Sequence, residues 1–326
     1  MRRFLHFIKV RIVAFTHICE SVIVFTRDLF YFLNHSQLIN RNDKDKARAS
    51  MISAYHIIEK GLAMPNRRLG FGKEALQSLI YECEDFIKKY GSNDEQVKVA
   101  LSVIKKYDVL HKDNNYKLDE ELQYKIDKII GEKEIEPICQ FEFSRDAFFA
   151  DNNKPFDIFS KSRHSTRHFN GEVNIEQIKQ AVDLARLAPS ACNMQPTRMH
   201  IVTNTELVKR VLELQQGNRG FGHLIDKLIV LTVKVSSCSK LSSRFTPFID
   251  TGILTMNLLY SLHFYKIGAI PLIWLNTAKR NKILRAMLDI PSDEIPCIII
   301  GCGQVDENSI CPASPRDSIE RLCSVH

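Results

Sequence analysis

The chain has 326 residues, 44% hydrophobic and 25% charged, a balance that supports one large globular domain or two modest ones. Its net charge of +7 is spread along the sequence and no nucleic-acid-binding motif is present, so no nucleic acid partner is expected and small anionic ligands account for part of the excess. Nine cysteines, an odd number without CxxC or other metal-ligand spacing, predict free thiols in a reducing, cytoplasmic compartment and no metal site.

Residues 1–32 are rich in Phe, Ile, Val and Leu behind Arg2 and Arg3. Lys9, Arg11, Glu20 and Arg27 interrupt the run, which leaves it short of the roughly 20 apolar residues that span a bilayer. No small-residue cleavage site follows. The expectation is an amphipathic helix that packs on the protein itself; the alternative is peripheral membrane contact through residues 1–32.

Helical periodicity then covers residues 43–62, 73–90, 94–110 and 118–130, with Gly61 as a stop signal near the first end. A charged, proline-containing stretch at 131–137 predicts a boundary, dividing the chain into a helical N-terminal extension, 1–137, and a second domain, 138–326. Beyond it helices (175–187, 206–215, 251–265, 279–288) alternate with apolar strands (199–203, 228–235, 269–275, 297–301). This mixture predicts an α+β layered fold, a sheet covered by helices. Gly301 and Gly303 follow a strand but lack the third glycine and the helix of a dinucleotide fingerprint.

Two stretches concentrate the chemistry. Arg163, His164, Ser165, Thr166, Arg167 and His168 set two guanidiniums, two imidazoles and two hydroxyls side by side, a combination that suits a phosphate with a polyol tail. Pro189, Ser190, Asn193 and Gln195 lie on a proline-bounded loop after a helix, where amides suit a flat ring with alternating donors and acceptors. Phosphate, polyol and ring together describe flavin mononucleotide (FMN). Cys192, inside the second stretch, reads as a small buried filler rather than a nucleophile.

In residues, interval and order these stretches resemble the FMN-binding signature of the nitroreductase family, and the resemblance runs over about residues 140–326. A nitroreductase-like fold is implied. The resemblance also implies that Arg163, His164 and Ser165 meet the flavin phosphate and ribityl end, and Arg167 the pyrimidine side of the ring. Pro189, Ser190, Asn193 and Gln195 would flank the ring, Asn193 from the partner subunit of a homodimer. The backbone of Ile270, Pro271 and Leu272 would run beside N5, and Arg316 would return to the phosphate. The homodimer interface is expected to include the 251–265 helix, whose Ile253, Leu254, Met256, Leu258, Leu259 and Leu262 make it apolar nearly all round.

The implied activity is that of an FMN-dependent oxidoreductase passing electrons from NAD(P)H to a small-molecule acceptor. A flavin dehydrogenase or oxidase acting on a biosynthetic intermediate, and a non-catalytic interaction protein on the same fold, are the alternatives. His56, Glu59, Lys60 and Gly61, followed by Arg67, Arg68 and Gly70, resemble the extension of a branch found with surface-polysaccharide biosynthesis proteins. Their helical spacing places His56, Glu59 and Lys60 together, as a second polar wall over the flavin or as a solvated helix end. The chain departs from the family pattern at Ser314, where many relatives have a cation, and at Thr197, where many have Trp. It also lacks the Glu that some relatives carry beside N5, offering Pro271, Leu272 and Ile273 instead.

Overall fold

The computed structural model describes residues 2–39, 43–131, 134–137 and 139–326, so the middle of the predicted boundary stretch, 132–133, lies outside the described residues. In chain order the helices and strands are α1 (Arg2–His35), α2 (Lys44–Leu62), α3 (Lys73–Tyr90), α4 (Glu95–Asp113), α5 (Glu120–Ile130), β1 (Gln140–Ser144), α6 (Arg145–Phe148), α7 (Phe156–Ser162), α8 (Ile175–Ala185), β2 (Thr197–Val202), α9 (Thr205–Gln215), β3 (Lys227–Lys234), α10 (Thr246–Phe264), β4 (Gly268–Ile273), α11 (Ala278–Leu288), β5 (Glu294–Gly303), β6 (Asn308–Pro312) and α12 (Ile319–Leu322).

Short acidic side chains start three helices of the extension, α2, α4 and α5. Asp43 accepts from the amides of Asp45 and Lys46, Asp94 from Gln96, and Asp119 from Leu122, each satisfying donors that the first helical turn leaves unpaired. The apolar stripes of α2 to α5 then close on one another. Met51, Ile58, Leu79, Phe86, Ile104 and Tyr107 are all buried in this core.

The second region is built on a four-stranded antiparallel sheet of order β2-β3-β5-β4. β3 and β5 are central and covered on both faces, which explains why β3 reads as one apolar run rather than an alternation. Leu228 and Val230 face α9 and α11, with Val211, Leu212 and Leu284. Ile229 and Leu231 face α8 and α10, with Ile178, Leu258 and Leu262. A two-stranded antiparallel sheet, β1-β6, ties the start of this region to its end.

Two expectations change. The N-terminal helix forms, yet from residue 11 onward its apolar side chains, Ile12, Phe15, Ile18, Ile23 and Phe30 among them, are exposed rather than packed on the protein. The helix is tied to the protein by a salt bridge from Asp28 to Arg244 at 2.5 Å and by Lys46 Nζ donating to the Asn34 carbonyl at 2.9 Å. No helix among the described residues is long and apolar enough to cross a membrane. The long apolar helix also starts earlier, at Thr246, with Pro247 in its first turn where a missing N–H costs nothing. It is not buried all round. Leu258, Leu259 and Leu262 enter the core, whereas Ile249, Ile253 and Met256 stay exposed, so its uniform hydrophobicity serves two different faces.

Candidate functional site

A cleft of about 700 Å³ opens where the segment after α7, the edge strand β4, helix α10, the loop after β6 and helix α2 converge. A larger hollow of about 990 Å³ lies between the end of α1 and the start of α2, but it lacks the cationic cluster of the smaller cleft. Arg163, His164, Ser165 and Arg167 all line the cleft, together with Ile270, Pro271 and Arg316. Sequence reasoning missed Lys161, Met256 and Tyr260, which also line it; no pattern in the sequence marks them, because tertiary packing alone brings α7 and α10 there.

The cleft's electrostatics follow from burial. Arg167 is 6% exposed, and its Nε and Nη1 are buried without a hydrogen-bond partner among the described residues, as is Nε of Arg163. Burial depresses both guanidinium pKa values, and Arg316 adds like-charge repulsion at Arg163. A buried cation without an acceptor costs several kcal/mol. These donors therefore fit a ligand that brings anionic and acceptor oxygens into the cleft. Burial, then Arg163 and Arg316, also push the His164 imidazole down, and its ring lies against Phe141 and Phe143 with centroids 5.3 and 5.2 Å away.

β4 is an edge strand, bonded to β5 alone, which is where a strand tolerates Pro271. Successive side chains alternate between faces. Ile270 and Leu272 thus pack into the α9/α11 core, Leu272 at 6% exposure, so the Leu272 side chain is a core element and does not line the cleft.

The second stretch lies elsewhere in the monomer. Pro189, Asn193 and Gln195 are exposed, Ser190 is half-buried, and none of them lines the cleft. The loop is tightly wound: Cys192, Asn193 and Gln195 all have positive φ, at 50°, 54° and 47°. It is held by Ser190 Oγ accepting from the Gln195 amide and by Asp250 of α10 accepting from the Ala191 amide. Gln195 donates to Asn193 Oδ1 at 2.9 Å, so the two amides are mutually oriented. Cys192 is exposed rather than a buried filler, because its left-handed backbone turns it out of the protein.

Helix α2 contributes more than a solvated end. His56 lines the cleft, and Glu59 is fully buried, accepting from the Ser314 amide at 2.7 Å and lying 3.0 Å from His56 Nδ1. Burial, then Arg167, lower the pKa of Lys60. The departure at Ser314 thereby acquires a reason: its amide and hydroxyl serve Glu59 of the extension. The next residues are clamped as well. Asp317 accepts from Arg48 Nη1 at 3.0 Å and Gln96 Nε2 at 2.9 Å, and Arg48 also bonds Asp94, so α2 and α4 fix the loop that carries Arg316.

Residues 160–219 match the sequence profile described as "Nitroreductase family". A protein of Archaeoglobus fulgidus named putative NADH dehydrogenase/NAD(P)H nitroreductase is 27% identical over 168 residues, covering 49% of this chain and 92% of that protein. One of the same name from Methanothermobacter thermautotrophicus is 27% identical over 154 residues, covering 45% of this chain and 76% of that one. Among solved structures, the NADPH:FMN oxidoreductase of Vibrio harveyi complexed with NAD+ aligns over 49% of this chain and 72% of its own, with TM-score 0.44 and 16% identity. The profile match takes in both Arg163–Arg167 and the Pro189–Gln195 loop, and the chain is similar over about half its length to proteins named NAD(P)H nitroreductase.

Proposed function

We propose that the protein is an FMN-dependent oxidoreductase that takes electrons from NAD(P)H and passes them to a small-molecule acceptor. The observation that carries this reading is the buried Arg167 and half-buried Arg163, whose buried Nε groups, and Nη1 of Arg167, have no partner among the described residues and lie in one cleft with Arg316 and the open edge of β4. Bound FMN would supply the two-electron chemistry; the protein supplies binding and orientation. Arg163 and Arg316 would hold the phosphate, with His164 and Ser165 at the same end. Arg167 would face the pyrimidine edge of the ring, and the backbone of residues 270–272 would pass beside it.

Asn193 and Gln195, with Pro189 and Ser190, would complete the site from the second subunit of a homodimer. The exposed apolar side chains near this loop, Leu187, Met194, Ile249, Ile253 and Met256, support that arrangement. The division into a helical extension and a flavin domain near residue 137 belongs to the same reading, supported by the separate core of α2 to α5. A setting in surface-polysaccharide biosynthesis rests on the resemblance of residues 56–72 alone.

The test is the visible spectrum of the purified protein. A flavin absorbance that bleaches anaerobically with NADH or NADPH is expected, and the pigment released by heat should have the mass of FMN. A protein that stays colourless with added FMN, or that releases FAD or haem, overturns the reading.

A further inference from the structure

Glu59, buried behind His56 of the cleft, is a carboxylate that the cofactor reading leaves without a task. It lies one helical turn from His56 on α2 and is 0% exposed. A carboxylate at that depth must be paired or hydrogen-bonded. It accepts from the Ser314 amide at 2.7 Å and from the Ser314 hydroxyl at 3.4 Å, and its Oε2 lies 3.0 Å from His56 Nδ1. Because an ionised carboxylate only accepts, His56 must carry its proton on Nδ1. Proton exchange is then confined to Nε2, which has no protein partner among the described residues and belongs to a ring that is 42% exposed and lines the cleft.

Of the other proton-bearing groups, Lys161 sits on the exposed rim of the cleft, Lys60, whose pKa burial and then Arg167 lower, does not line it, and the rest are poorly suited to release a proton near neutrality. Arg163, Arg167 and Arg316 are guanidiniums and keep theirs. His164 is wedged against Phe141 and Phe143, and burial disfavours its charged form. Ser165 and Tyr260 carry a hydroxyl and a phenol, both weak acids.

We propose that His56 is the catalytic proton carrier of this cleft, delivering a proton from Nε2 to the electron acceptor, and that Glu59 is its positioning residue. The proposal rests on the flavin reading above. In the step, the acceptor gains a hydride, two electrons and one hydrogen, from the cofactor that NAD(P)H has reduced. It gains a proton as the His56 Nε2–H bond breaks and the second new bond to hydrogen forms. Neutral His56 keeps Nδ1–H on Glu59 and takes a replacement proton from water at its exposed edge.

Two measurements test this. In anaerobic stopped-flow with FMN-loaded protein and 1,4-benzoquinone as acceptor, His56→Gln should leave reduction by NADH unchanged and slow reoxidation by about 100-fold, the low end of general acid catalysis. In flavin-free protein, 15N NMR of the neutral His56 ring should show the Nδ1–H tautomer, and Glu59→Gln should shift it toward Nε2–H. Unchanged reoxidation in His56→Gln with normal FMN content overturns the proton role while leaving the flavin reading intact. A wild-type Nε2–H tautomer overturns the role of Glu59. A wild-type protein that binds no FMN overturns the flavin reading, and proton delivery with it.

Discussion

Arg163 and Arg167 sit four residues apart in one cleft, yet a phosphate ester with a redox-active ring makes different demands on each. A guanidinium at the ring feels the negative charge the ring gains on reduction; one at the phosphate does not. Losing one charge-assisted hydrogen bond costs about 1.5–3 kcal/mol, and about 1.4 kcal/mol corresponds to about 30 mV for a two-electron couple. Arg167→Met should therefore lower the midpoint potential of bound FMN by roughly 30–60 mV. Arg163→Met should weaken FMN affinity and leave the potential of the bound flavin nearly unchanged. Spectroelectrochemical titration of both variants checks this, and an unchanged potential in flavin-loaded Arg167→Met removes Arg167 from the ring. That both arginines share one cleft is legible in the sequence, because they stand four residues apart with Ser165 between them. The task of Glu59 is not, since its partner Ser314 is 255 positions away and only folding shows the carboxylate to be buried.

At the scale of elements, the extension acts on the cleft by gripping the loop between β6 and α12. Arg48 and then Gln96 hold the Asp317 carboxyl down to about 2, from an ordinary value of 3.8. A folded-state pKa below the unfolded one stabilises the protein above the unfolded value, and that stability is lost as pH falls through the folded value. Acid titration of the wild type should therefore show a loss of stability between about pH 4 and pH 2 that Asp317→Asn lacks, the variant being the less stable of the two at neutral pH. Melting temperature across that window is the measurement. The sheet makes a second demand at Gly268, where an added Cβ would stand 2.9 Å from the Gly303 carbonyl oxygen and 3.1 Å from Thr166 Cγ2. Backbone cannot yield cheaply there, so Gly268→Ala should cost about 1–3 kcal/mol by chemical denaturation, as overpacking does. It should also weaken FMN binding, because Thr166 precedes Arg167. Elements with local signals were readable in advance: α2, α4 and α5 have aspartate caps, and β3 has a dense β-branched run. β1 and β6 were missed, because each is five residues long and is a strand only through its distant partner. The seven-residue α7 has no side-chain cap to announce it.

For the whole molecule, the monomer leaves the two groups of residues proposed to bind the flavin on different surfaces: the cationic cleft, and the loop bearing Asn193 and Gln195. That loop is fastened to α10 through Asp250, and α10 also exposes Ile249, Ile253 and Met256 on a face the core does not use. A second copy covering this face would bury the stripe and bring the loop to the other subunit's cleft at the same time. Each large apolar side chain so buried contributes about 1.5–3 kcal/mol, and a buried, unpaired carboxylate in its place would be strongly unfavourable. Ile253, at 43% exposure, is the place to put one, because its replacement leaves the core contacts of Leu258 and Leu262 untouched. Wild-type protein should therefore scatter light as a dimer at micromolar concentration. Ile253→Glu should be monomeric, should melt as a folded protein, and should retain little FMN, because Asn193 of one copy can no longer serve the other. A wild-type monomer with FMN bound would show that the cleft needs no second copy, and an Ile253→Glu dimer would move the interface away from α10.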